Sequence, residues 1–183
     1  MKKTLSISLG LVLFVVMASV ASAQKAPDVQ NFPSCKLCGM DRDQFAHSRF
    51  LIEYDDGSAF GACSIHCAAV DMVLSIDKTP KSLQVGDYGT KKLIDAETAT
   101  WVIGGNKPGV MTKRAKWAFE TKEDADKYVK ENGGQVATFD LAMQATYEDM
   151  YADTKMIREK RKMKRMGAQP HQHPAPQQPQ HKP

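Results

Sequence analysis

Cys35-Lys36-Leu37-Cys38-Gly39-Met40 and, further on, Gly61-Ala62-Cys63-Ser64-Ile65-His66-Cys67 contain all four cysteines of this 183-residue chain. Two residues separate Cys35 from Cys38, so both sulfurs can turn toward one point. Gly39 gives the backbone freedom just after the second thiol. Cys63 and Cys67 stand four apart, which puts them on one side of a helix. Between the pairs, Phe50, Ile52 and Tyr54 alternate with Leu51 and Glu53. Asp56-Gly57 then marks a turn and Ala59-Phe60 returns, a pattern that predicts a β-hairpin over residues 48–62. Ile65, Ala68, Ala69, Met72 and Val73 recur at helical spacing and predict a helix over 64–75.

A paired-cysteine knuckle, a hairpin, and a helix carrying two more cysteines in its first turn form the layout of a treble-clef metal site. Exposed amides and the dipole at a helix start favour thiolate over thiol. Cys35, Cys38, Cys63 and Cys67 are therefore candidate ligands of one ion. Four thiolates suit Zn(II); thiolate with thioether suits Cu(I). Met40 follows the first pair, Met72 lies along the helix, and His66 adjoins Cys67, so each is a further candidate ligand. Met40 and Met72 are also apt core fillers, and His66 an apt surface helix residue. Two disulfides remain the alternative for an even number of cysteines in an exported chain. A thiol–disulfide oxidoreductase is the weaker reading, because Gly39 interrupts any helix after the first pair and no strand precedes it.

Past the helix, residues 82–85 read as a short strand closed by Gly86. The order then repeats. Residues 100–103 and 116–119 read as strands, and a helix begins at Thr121 with Asp124 at the fourth capping-box position. Ala125, Tyr128 and Val129 form its apolar stripe. Asn132-Gly133-Gly134 stops it, and residues 135–139 form a last strand. The expected fold is α+β, two ββαβ units (about 35–86 and 99–139) after a polar lead-in over 24–34. A long helix over 140–166 and a disordered Pro/Gln/His tail over 167–183 follow.

Lys2 and Lys3, an apolar run over 5–20 and Ala21-Ser22-Ala23 predict a signal peptide cleaved after Ala23, hence a periplasmic protein. The run is short for a membrane span. Residues 24–154 hold 20 acidic and 15 basic residues, whereas 155–183 hold 8 basic and 1 acidic. The basic end is either a solvated helix terminus or a peripheral contact with acidic lipid headgroups or an acidic partner. His171, His173 and His181 could collect metal weakly. The basic cluster lacks interleaved aromatics, which argues against nucleic acid.

Cys35-x-x-Cys38-Gly39-Met40 resembles the signature of the NosL family, which supplies copper for nitrous oxide reductase. Ala99-Thr100-Trp101-Val102, Gly104, Met111, Phe119, Ala125, Gly133-Gly134 and Val136 resemble its second half. The resemblance spans roughly residues 35–140. It implies a tandem ββαβ fold like that of the organomercurial lyase domain. It also implies Cu(I) binding without catalysis, a metalloenzyme or copper transporter as partner, and Met111 as a further copper ligand. Typical members are lipoproteins with a cysteine at the cleavage site. The first cysteine here lies twelve residues past Ala23, so no lipid anchor is expected. Cys63 and Cys67 are not general to that family; residues 61–67 resemble heavy-metal-sensing modules instead. A structural zinc module for protein interaction is the alternative function.

Overall fold

In the computed structural model, which describes residues 25–167, the hairpin forms β1 (Phe50–Tyr54) and β2 (Ala59–Ala62). α2 (Ile65–Leu74) follows directly, then β3 (Pro80–Gly86) and β4 (Leu93–Asp95). The second unit comprises β5 (Thr100–Ile103), β6 (Lys116–Phe119), α3 (Lys122–Asn132) and β7 (Gln135–Ala137). A short α1 (Pro27–Asn31) precedes these elements and a long α4 (Phe139–Gly167) ends them.

Both sheets are antiparallel and share one plan. β1 lies between β2 and β3, with Ile52 opposite Phe60 and Leu83; β5 lies between β6 and β7, with Trp101 opposite Ala118 and Ala137. The strand after each helix thus returns to pair with the first strand of its unit. The expected ββαβ order appears twice, and β4 extends the first sheet along the free edge of β3. The two units meet where Tyr88 N–H donates to the Ala118 carbonyl (2.8 Å) and Glu120 N–H to Asp87 Oδ2 (2.9 Å). One apolar core runs through both, from Phe50, Ile52 and Val85 to Trp101, Val102 and Trp117. Burying each such side chain contributes about 1.5–3 kcal/mol before entropy is subtracted. α4 packs on α2, where the Tyr147 hydroxyl donates to the Ala69 carbonyl (3.3 Å).

Three local differences from the sequence reading have plain causes. The stretch read as a polar lead-in holds α1, with Asp28 and Val29 buried; Asp28 is there for an internal ion pair, while Lys25, Gln30, Asn31 and Ser34 face solvent. The strand after α2 starts at Pro80 rather than Ser82, since proline's missing N–H is harmless at a strand's first residue. At α3, Thr121 caps as expected by accepting from Asp124 N–H (3.1 Å), but the Asp124 carboxylate takes the Thr121 hydroxyl (2.8 Å) instead of its backbone N–H. The stretches read as a signal peptide and a histidine-bearing tail lie outside the described residues, save Gly167.

Candidate metal centre

The first pair of cysteines is held by a tight loop. Cys35 N–H donates to the Met40 carbonyl (2.9 Å), and Gly39 N–H to the Cys35 carbonyl (2.7 Å). Gly39 has φ +77°, a conformation that strains any residue with a side chain, which is why glycine stands there. The second pair follows from the chain leaving β2. Cys63 directly follows the strand, Ser64 stands in extended conformation at the N-cap position of α2, and Cys67 falls in the first helical turn. The Ser48 hydroxyl fixes the Cys63 carbonyl (2.9 Å).

The four Sγ atoms all lie within 4.8 Å of one another. Cys38 and Cys63 sulfurs are 3.4 Å apart, and Cys63 and Cys67 sulfurs 3.7 Å. These spacings are far from a disulfide's ~2.05 Å. They approach the edge of about 3.8 Å that follows from ~2.3 Å metal–sulfur bonds in a tetrahedron. All four thiols are free, and they form one group rather than two separate pairs. Cys35, Cys63 and Cys67 are buried; Cys38 is half-exposed.

Crowding sets the protonation pattern. Hydrogen bonds from Cys38, Cys63 and Cys67 hold Cys35 far below the usual thiol range. At Cys38 the bond with Cys35 pushes upward, but those with Cys63 and Cys67 outweigh it and the thiol is lowered. Bonds to Cys35 and Cys38 push Cys63 well up. Bonds to Cys35, Cys38 and Cys63, with burial, do the same to Cys67. One cluster thus shares negative charge that all four sulfurs cannot carry together unless a cation joins them, so metal binding here releases protons.

Beneath the thiols sits a buried ion-pair network. Arg42, with no exposed surface, donates all five of its N–H bonds: Nε to the Ala62 carbonyl, Nη1 to the Asp28 and Phe32 carbonyls, and Nη2 to Asp28 Oδ2 and the Phe50 carbonyl, at 2.8–3.0 Å. Arg49 clasps the same carboxylate (Nε to Oδ2 2.8 Å, Nη2 to Oδ1 3.1 Å). Arg42 therefore ties the loop after Cys38 to the end of β2 just before Cys63, and so sets the distance between the two pairs. Gly61 leaves it room: a Cβ there would stand 2.9 Å from the Arg42 guanidinium carbon and 2.5 Å from Phe32 Cβ. In sequence, Asp41-Arg42-Asp43 is indistinguishable from a solvated charge run, and no spacing rule reveals this network.

Of the other predicted ligands, Met40 and Met111 line one cleft with Cys38, about 570 Å³ in volume, between the cysteine loop, residues 108–112 and α4. Met111 holds φ +62° there. His66 is buried, and its Nδ1 lies 3.8 Å from Asp153 Oδ2, too far for a hydrogen bond. Burial lowers its pKa despite that carboxylate, so the ring is neutral. It borders a smaller cleft with Cys38, Cys67 and Met111, outside the close group of four sulfurs. Met72 packs against the core. Three residues not foreseen also reach the cleft: His47, Met156 and Arg161. Arg161, in the basic end read as solvated or docking, turns back so that Nη2 donates to the Cys38 carbonyl (3.0 Å).

Comparison with known proteins agrees with this architecture. The family model described as NosL matches residues 26–147. Among solved structures, the crystal structure of the copper chaperone NosL from Shewanella denitrificans is 21% identical, with a TM-score of 0.50. That match covers 63% of this chain and 93% of the other, and it shows a shared fold. No curated protein matches.

Proposed function

The chain belongs to the NosL family, and from that premise we propose that it is a Cu(I) carrier that holds its cargo on sulfur and releases it by ligand exchange. The convergence of four thiols on one point carries the reading. Soft thiolates select a soft ion, and the solved relative is itself described as a copper chaperone. Cys35, Cys38, Cys63 and Cys67 supply the thiolates, with Met40 and Met111 beside Cys38 for thioether contact. His66 is a weaker ligand candidate because it faces Asp153. Half-exposed Cys38 is where an incoming acceptor sulfur gains access, while the buried thiols retain the ion.

The recipient belongs with this proposal: a copper metalloenzyme such as nitrous oxide reductase, or a copper transporter. So does the compartment. Residues 1–23 support export to the periplasm with cleavage after Ala23. The cationic end of α4 supports a peripheral contact with an acidic membrane or partner. No catalytic step is assigned.

An anaerobic titration tests the reading. Reduced protein should take up one tightly held Cu(I) against a chelating competitor, losing four reactive thiols. Cys63→Ser or Cys67→Ser should weaken retention at least 100-fold, more than the roughly 10–100-fold typical of losing a supporting group. Stoichiometric zinc that excess Cu(I) fails to displace would instead make the site a structural zinc module. Two disulfides in the protein recovered from its own compartment would end the proposal.

A further inference from the structure

The family match ends at residue 147, but α4 continues to Gly167. Its continuation lies over the metal centre. Met156, Ile157, Lys160 and Arg161 share one helix face, by their i, i+1, i+4, i+5 spacing. All four border the cleft that Cys38, Met40 and Met111 enter from the other side. Arg161 fastens this face to the Cys38 carbonyl (3.0 Å).

Met156 differs from the methionines that touch the apolar core. Met40, Met72, Met111 and Met150 pack against the apolar core; Met156 is half-buried and does not. Met163 and Met166 farther along are exposed. Met156 therefore lines a cleft that Met40, Met111 and the half-exposed Cys38 also line. No carboxylate lines it, and its charges, Lys160 and Arg161, are positive. A divalent, borderline ion such as Zn(II) finds one imidazole there, His47, but neither anionic oxygen nor a second thiolate. A monovalent soft ion needs neither, since neutral thioethers suffice.

We infer that Met156 is a transit ligand: with Met40, Met111 and Cys38 it forms a second soft-cation position, through which Cu(I) passes between the buried thiolates and an acceptor. Cys38 belongs to both positions, so the ion moves by exchanging thiolates for thioethers around one sulfur, which it keeps until an acceptor ligand replaces it. No electron is transferred and the ion stays monovalent. The inference rests on the copper-carrier reading and adds a route, a specificity for Cu(I) over Zn(II), and a role for a helix segment beyond the family match.

The experiment uses the full chain, reduced and labelled with 13C at the methionine methyls. Met156→Leu conserves volume, so the fold should survive, and it also assigns the Met156 resonance. Anaerobic Cu(I) beyond the first equivalent should shift the Met156 methyl signal, and Zn(II) should not. Stopped-flow transfer of bound Cu(I) to a chelator should slow roughly tenfold in Met156→Leu, a size common for losing one group at a metal site. Retention of the first Cu(I) should be unchanged, and Ile157→Val should transfer at the parent rate. A Met156 signal that ignores Cu(I), or a transfer rate unchanged in Met156→Leu, overturns the inference while leaving the carrier reading intact. If the parent protein holds no Cu(I), the carrier reading falls, and this inference with it.

Discussion

The two ββαβ units share strand order, helix placement and a central first strand, yet differ in what their cores contain. The second is filled by aromatics: Tyr88, at the junction, meets Trp117, Phe119 and Tyr128 at ring distances of 5.0–5.6 Å. The first holds four thiols and the Asp28–Arg42–Arg49 network. One backbone plan thus serves two purposes. Aromatic packing needs only area and shape. A metal centre needs sulfurs at fixed separations, and directional hydrogen bonds to a rigid guanidinium fix them. The second unit contributes to the centre only at its edge, through Met111 and the clefts beneath α4.

The sharpest way to break this contrast is to remove its rivet. Arg42→Ala takes one of the two guanidinium partners from the buried Asp28 carboxylate, leaving Arg49 alone on it, and leaves four backbone carbonyls without this donor. Losing one partner of a buried pair costs about 3–5 kcal/mol. Urea unfolding should show a loss of that size, and Cu(I) retention should fall with it; an unchanged midpoint would mean the network is incidental.

A gentler route is acid. Burial works to raise the Asp28 pKa, but hydrogen bonds and charge from Arg49 and Arg42 outweigh it, so the folded value lies below the usual carboxylate range. A depressed carboxylate stabilises the fold above its unfolded pKa of about 3.9, and that contribution drains away as pH falls toward the folded value. Stability measured by thermal melting should decline below about pH 4. Asp28→Asn should be less stable at neutral pH and lose less on acidification. A parallel decline in both proteins would assign the acid sensitivity elsewhere.

The smallest effect should come from the second unit. Thr121→Ala removes an exposed cap from α3 and should cost about 1 kcal/mol, with Cu(I) retention unaltered. If retention drops as well, the units are coupled more tightly than their separate sheets suggest.

Much of this molecule was legible in its residues. Alternation in 50–54, helical spacing after Ser64 and the Gly133-Gly134 stop announce their elements because strand and helix periods are local properties. The cysteine spacing favoured one sulfur cluster over two disulfides, because a loop of two residues and a helical i, i+4 step fix local directions, but it left the meeting of the two pairs open. β4 was missed because Leu93-Ile94-Asp95 shows no alternation of apolar and polar residues. Asp28, Arg42 and Arg49 were missed because a charge looks the same in sequence whether it faces water or a partner far along the chain.

Sequence by itself determined the two ββαβ units and the long last helix, their order and the chemistry of the ligands, since these depend on residue type and near neighbours. Tertiary structure alone decided that both cysteine pairs meet within 4.8 Å, that Arg42 spaces them, and that the end of α4 folds back over Cys38. Those outcomes rest on contacts between residues up to 123 positions apart. They are set by burial and hydrogen-bond satisfaction in three dimensions, which no local pattern encodes.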